Sequence, residues 1–199
     1  VVAAGWQRRT GPSYPFRTTV AVGGAAMRVS LPRSNSTTST ARVAVPAPDS
    51  LAGGTLFWRR FPTGDPFTAI PLQRDGEVMA AALPVQPAAG KVEYYLELGT
   101  GAGAVRVPTT PDEKVILRYH GQVPYAVLIP HILVMFLGML VGVRAGLAAT
   151  VDARDYRTLA VVTLAALTLG GLILGPITQK YAFGAYWTGW PFGHDLTDN

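Results

Sequence analysis

Three histidines, twelve acidic residues and no cysteine give this 199-residue chain few groups with which to do chemistry. The lack of cysteine excludes disulfide scaffolds, zinc–thiolate and iron–sulfur sites, and thiol catalysis. His131 is the residue that stands out, because it follows Pro130 inside an uncharged apolar run. Measured from Val123 it would lie about 12 Å along a helix. An ionisable group that deep in a membrane helix is a functional candidate. It could ligate a haem or chlorophyll, or hydrogen-bond a quinone. A bis-histidine haem would need a second histidine in the apolar runs, and His120 and His194 lie outside them. The plainer alternative is a neutral imidazole bonded to a neighbouring backbone carbonyl. Pro130 has no N–H, so it also frees the carbonyl of Ala126.

Other constellations point away from catalysis. His194-Asp195 has the order of a catalytic pair, but no serine stands in a nucleophile's context. Asp195, Asp198 and Asn199 offer oxygen ligands for a hard cation such as Ca²⁺, although these residue types more often make turns and caps. Gly99-Thr100-Gly101-Ala102-Gly103 lacks the Lys-Ser/Thr of a phosphate loop, and no helix follows it. It is expected to be a hairpin tip. No catalytic residue and no metal site are expected, and the chain is read as a non-enzyme.

The elements that would position His131 are two apolar segments. Val123–Val143 and Leu159–Ile177 contain no Lys, Arg, Asp or Glu. A bilayer core of ~30 Å takes about 20 apolar residues as a helix, so these read as two spans of a transmembrane hairpin over residues 120–199. The mean hydropathy of +0.25 agrees. Gly138, Gly142 and Gly146 share one face of the first span, and Gly171 and Gly175 share one face of the second. Small residues at that spacing let helix backbones approach closely. The connector, residues 144–157, holds Arg144, Arg154 and Arg157 against Asp152 and Asp155. Short basic loops stay in the cytoplasm. Lys114, Arg118 and Lys180, outside the spans, weigh the other way. Tyr181, Phe183, Tyr186, Trp187, Trp190 and Phe192 form an aromatic segment suited to the membrane interface or a partner contact.

The first 120 residues carry 13 Lys+Arg against 8 Asp+Glu, while the remainder is neutral. The basic residues are dispersed, which argues against nucleic acid as a partner and fits contact with anionic lipid headgroups. Apolar and polar residues alternate at Met27–Leu31, Ala41–Val45, Lys91–Leu98 and Lys114–Arg118, with less regular strands at 17–22, 55–61, 67–72, 76–83 and 104–107. Gly/Pro/Ser clusters separate them, including Ser34–Ser39. Short strands at this spacing predict an immunoglobulin- or fibronectin-III-like β-sandwich over residues 13–119. Trp58 is expected mid-strand. Leu56 and Trp58 share one face, and Phe57 and Phe61 share the other. Leu83–Leu96 reads as a sandwich corner, with Tyr94 turned inward and locking the corner by a hydrogen bond. Residues 1–12 read as the end of an upstream anchor or linker, and the chain as the ordered part of a longer one.

Ile129-Pro130-His131-Ile132-Leu133, Gly175–Gly189, Pro191-Phe192-Gly193 and Asp195-Leu196-Thr197-Asp198-Asn199 resemble an uncharacterised family of bacterial membrane proteins. The resemblance covers most of residues 40–199. It implies an N-terminal anchor, an extracytoplasmic immunoglobulin-like domain and a membrane hairpin, with a further span after Asn199. The family brings no assigned activity. The expected function is a non-catalytic accessory subunit of a membrane complex in the bacterial inner membrane, with the β domain periplasmic. Its partners would be other membrane subunits and the lipid bilayer. It would carry no cofactor of its own but would contact pigments, quinone or lipids of an energy-transducing host, specifically a photosynthetic reaction centre with its antenna. The alternatives are a membrane-anchored periplasmic binding module and a cofactor-binding membrane protein using His131.

Overall fold

The structure, a computed structural model, describes residues 6, 11, 13–99, 101–151 and 154–189. Its contacts divide the chain into two compact units that meet between His120 and Gly121. The first is built of β-sheets and the second carries two long apolar helices.

The strands of the first unit are β1 (Phe16–Val22), β2 (Ala25–Leu31), β3 (Ser34–Ser36), β4 (Ala41–Pro46), β5 (Gly54–Phe61), β6 (Thr68–Pro71), β7 (Gln73–Asp75), β8 (Val78–Leu83), β9 (Lys91–Leu98), β10 (Val105–Val107) and β11 (Val115–His120). They form a β1-β2 hairpin, a sheet in the order β3-β11-β9-β5-β6 and a sheet in the order β4-β8-β7. One edge of β9 is shared: β10 pairs with Leu96–Leu98 and β11 with Lys91–Tyr94. The β1-β2 turn is Gly23-Gly24, with φ of 58° and 84°. Two successive positive φ values fit the hairpin turn whose twist matches its strands. Alternate residues of each strand point to one face, which brings Leu31, Val43, Leu56, Leu83, Leu96 and Leu117 into one core shared by all three sheets. Burial of this apolar surface is the main force holding the unit together.

Two features depart from expectation. Ser34–Ser36, expected inside a break, is a short strand that runs parallel to β11, with Ser34 beside Arg118 and Ser36 beside His120. Its polar side chains give no alternation to read, and the backbone of β11 supplies its partner. Tyr94 is fully buried as expected, but its hydroxyl donates to the Pro32 carbonyl at 2.7 Å, just past β2. The corner is held instead by Tyr119, whose hydroxyl donates to the Pro84 carbonyl at 3.0 Å. The Ala89 N–H donates to the Tyr119 carbonyl at 2.9 Å, and the Tyr119 N–H donates to the Gly90 carbonyl at 2.8 Å. Burial pushes the Tyr94 phenol well above its ordinary range, and the Tyr119 phenol also upward.

In the second unit, α1 (Tyr125–Thr150) starts after Pro124. The second helix, Tyr156–Phe183, contains α2 (Tyr156–Leu167), a π-helical segment (Thr168–Leu174) and α3 (Gly175–Phe183). Both helices are long and apolar enough to cross a membrane. They extend beyond the apolar runs: α1 continues through Arg144 to Thr150, so much of the expected connector is helical. Charges bound a hydropathy run, whereas backbone hydrogen bonding bounds a helix. The uncharged part of α1, Tyr125–Val143, is about 28 Å long at 1.5 Å per residue. Arg144, inside α1, donates to Asp155, the residue just before the second helix, at 3.0 Å. α3 stops at Gly184, where φ is 79°.

Candidate functional site at the helix crossing

The two helices run antiparallel and meet along small residues. A Cβ placed on Gly138 would lie 3.2 Å from the Ala166 Cβ, and one on Gly142 would lie 3.1 Å from the Thr163 Cγ2. The third residue of that stripe, Gly146, faces open space. On the second helix the tightest approach is at Gly170, which sequence reasoning missed. A Cβ there would lie 2.9 Å from the Met135 Sδ and 3.2 Å from the Val134 Cγ1. Gly171 and Gly175 are looser, with nearest approaches of 3.9 Å to Met135 and 3.5 Å to the Gly170 carbonyl. Gly170 continues the α-helical line of Thr163, Ala166 and Leu167 that meets the first helix, and Gly171 stands one residue off that line.

His131 reaches this crossing. Its Nδ1 lies 2.9 Å from the Gly170 carbonyl oxygen. A carbonyl can only accept, so Nδ1 carries the proton, and in the Nδ1–H tautomer Nε2 is an acceptor. Nε2 has no hydrogen-bond partner among the described residues. The same carbonyl accepts the Gly175 N–H across the π turn. The second helix passes close to the imidazole at Gly175, where a Cβ would come within 3.8 Å of the His131 Cε1.

Within the aromatic segment Tyr181, Tyr186 and Trp187 are exposed and Phe183 is half-buried. The Lys180 ammonium sits 5.3 Å from the Tyr186 ring centre and donates to the Gly184 carbonyl at 2.8 Å. Gln179 donates to the Thr188 hydroxyl at 2.9 Å, and the Gly121 N–H donates to the Ala182 carbonyl at 2.8 Å. Gly171, Gly175, Thr178, Ala182, Phe183 and Trp187 line a shallow groove of about 220 Å³. The buried Thr178 hydroxyl in it has no hydrogen-bond partner among the described residues. Trp190 and Phe192 lie outside the described residues, as do His194, Asp195, Asp198 and Asn199.

The β unit has an aromatic–guanidinium face on β5, β9 and β10. Phe57 stacks on Tyr95 with ring centres 5.0 Å apart, and Phe67 meets Tyr95 edge-on at 5.2 Å. The guanidinium of Arg59 lies 4.5 Å from the Phe67 ring centre, and that of Arg106 lies 4.2 Å from the Tyr95 centre. Arg59 also pairs with the buried carboxylate of Glu93. On the opposite face Leu56 is fully buried, and Trp58 packs half-buried against the core with its Nε1 unpartnered among the described residues. Gly101–Gly103 is a short 3₁₀ turn between β9 and β10. Among the described residues no three His, Asp or Glu side chains cluster to hold a metal ion. In comparison with known proteins, the chain matches no family model and no curated relative.

Proposed function

We propose that the chain is a non-catalytic accessory subunit of a larger membrane complex. In this reading an immunoglobulin-like sandwich stands on the periplasmic side and a two-helix hairpin crosses the bacterial inner membrane. The observation that carries it is the inverted burial of the second unit. Small residues fill the helix crossing, while Leu133, Phe136, Leu140, Leu164 and Leu172 stay exposed. Apolar side chains on the outer surface of a helix pair suit lipid or the helices of a neighbour. The groove beside Trp187 offers a further contact. In this reading the host is an energy-transducing complex, with a photosynthetic reaction centre and its antenna as the specific case.

The sandwich reading draws support from strand order. Sheet β4-β8-β7 takes the place of strands B-E-D, and β11-β9-β5-β6 that of G-F-C-C′. The resemblance of residues 175–199 to bacterial membrane proteins of uncharacterised function belongs with the same reading. The aromatic–guanidinium face favours a second reading, a membrane-anchored module that binds a periplasmic protein or ligand. Aromatic residues and arginine are the types enriched where binding energy concentrates.

The test is to tag the native protein, solubilise membranes in mild detergent, and analyse native-gel bands by mass spectrometry and visible absorption. Co-migration at fixed stoichiometry with other membrane subunits is the expected result. A lone colourless band at the monomer mass would overturn the subunit reading and leave the binding module.

A further inference from the structure

We infer that His131 is an axial ligand, with Nε2 donating to the metal of a metallotetrapyrrole bound against the helix pair at the level of Gly170. The inference shares with the proposed function only the premise that both helices lie in a membrane.

Three observations select the ligand class. The first is the tautomer. With Nδ1–H committed to the Gly170 carbonyl, Nε2 presents a lone pair and no proton. Metal-ligating histidines donate their other ring N–H in this way, usually to a carbonyl or carboxylate, which fixes the ring and raises its basicity. A quinone offers only carbonyl acceptors and finds no donor at Nε2. The second is the absence of companion ligands. Among the described residues no three His, Asp or Glu side chains cluster to hold a bare ion. A metal that takes a single protein nitrogen draws its remaining ligands from a macrocycle. The third is the local backbone. The Gly170 carbonyl accepts both the imidazole and the Gly175 N–H across a π turn, and such turns recur at functional sites. Gly170 admits no side chain without displacing Met135, and Gly175 puts no side chain of its own against the Cε1 edge of the ring, next to Nε2. In hydrocarbon, no water is available to occupy the free lone pair.

The experiment uses the full chain in lipid nanodiscs, titrated in separate arms with iron protoporphyrin IX and with a magnesium chlorin. The expected result is a saturable shift of the Soret band at one equivalent in at least one arm. The responding arm tells a haem from a chlorophyll-type ligand. His131→Gln keeps a donor for Gly170 and removes the ligating imidazole. It should weaken binding by about ten-fold or more, at least the loss that follows from altering only an outer-shell partner of a metal ligand, with an unchanged helical circular-dichroism melt. In His131→Gly, added imidazole should restore the shift. Absence of a saturable shift in both arms would overturn the inference, as would equal binding by His131→Gln. Neither result bears on the subunit reading, because co-migration on a native gel does not depend on ligation.

Discussion

Replacing Tyr94 with Phe removes one hydroxyl from a fully buried position and leaves the ring in place. The lost bond is the 2.7 Å donation to the Pro32 carbonyl. A neutral hydrogen bond contributes about 1 kcal/mol, and the carbonyl left without a donor raises the cost to about 2 kcal/mol. With roughly 4 °C per kcal/mol for a domain of this size, the β unit should melt about 8 °C lower. The substitution should also change the pH dependence. Because burial raises the folded-state pKa of Tyr94, the native state favours the neutral phenol. Stability is then level below the unfolded-state pKa of about 10, and it falls as pH rises toward the folded-state value. One such phenol contributes a slope of at most about 1.4 kcal/mol per pH unit. Tyr94→Phe should remove its share of that slope, and Tyr119→Phe should remove a further part. The assay is denaturant unfolding of the full chain followed by near-ultraviolet circular dichroism at pH 7 and between pH 9.5 and 11.5. A loss below about 0.5 kcal/mol at pH 7, or an alkaline slope equal to that of the parent chain, would refute the reasoning.

Helix packing should respond residue by residue. Gly142→Leu forces a side chain against Thr163 and should destabilise the hairpin by about 1–3 kcal/mol. Gly146→Leu points into open space and should change the same detergent melt by less than about 0.5 kcal/mol. In the β unit, Arg59→Met leaves the Glu93 carboxylate buried without its partner and should cost about 2–3 kcal/mol at neutral pH. The pair Arg59→Met with Glu93→Gln should recover at least half of that loss, read by urea unfolding.

Alternation carried most of the β unit into view because a core fed from one face of each strand leaves a period-two record. Lys91–Leu98 is the clearest case, with Val92, Tyr94, Leu96 and Leu98 all buried. β3 left no such record, since its place depends on the backbone of β11 rather than on its own side chains. Tyr119 shares the alternation of Val115 and Leu117 and could have been assigned inward. Its corner partner Pro84 is 35 residues away, a separation beyond the reach of any local pattern. In the helices, the apolar runs showed where they pass, and the glycine spacing identified the close approach at Gly138 and Gly142. On the second helix the crossing face runs through Thr163, Ala166, Leu167 and Gly170, and a glycine spacing that singled out Gly171 and Gly175 missed it. The His131–Gly170 bond lies on that same face.

The parallel pairing of β3 with β11 has a consequence for synthesis. Ser34 meets Arg118, a separation of 118 − 34 = 84 residues. At ribosomal rates of about 5–20 residues per second, β3 waits roughly 4–17 s for its partner. Late in that interval, once β9 has been made, half of one of its edges has no neighbour either, because Lys91–Tyr94 pair with β11. Bare strand edges recruit other chains. The nascent protein is therefore most exposed to aggregation just before residue 115 emerges, and a holding chaperone acting before that point would improve its yield more than one acting later.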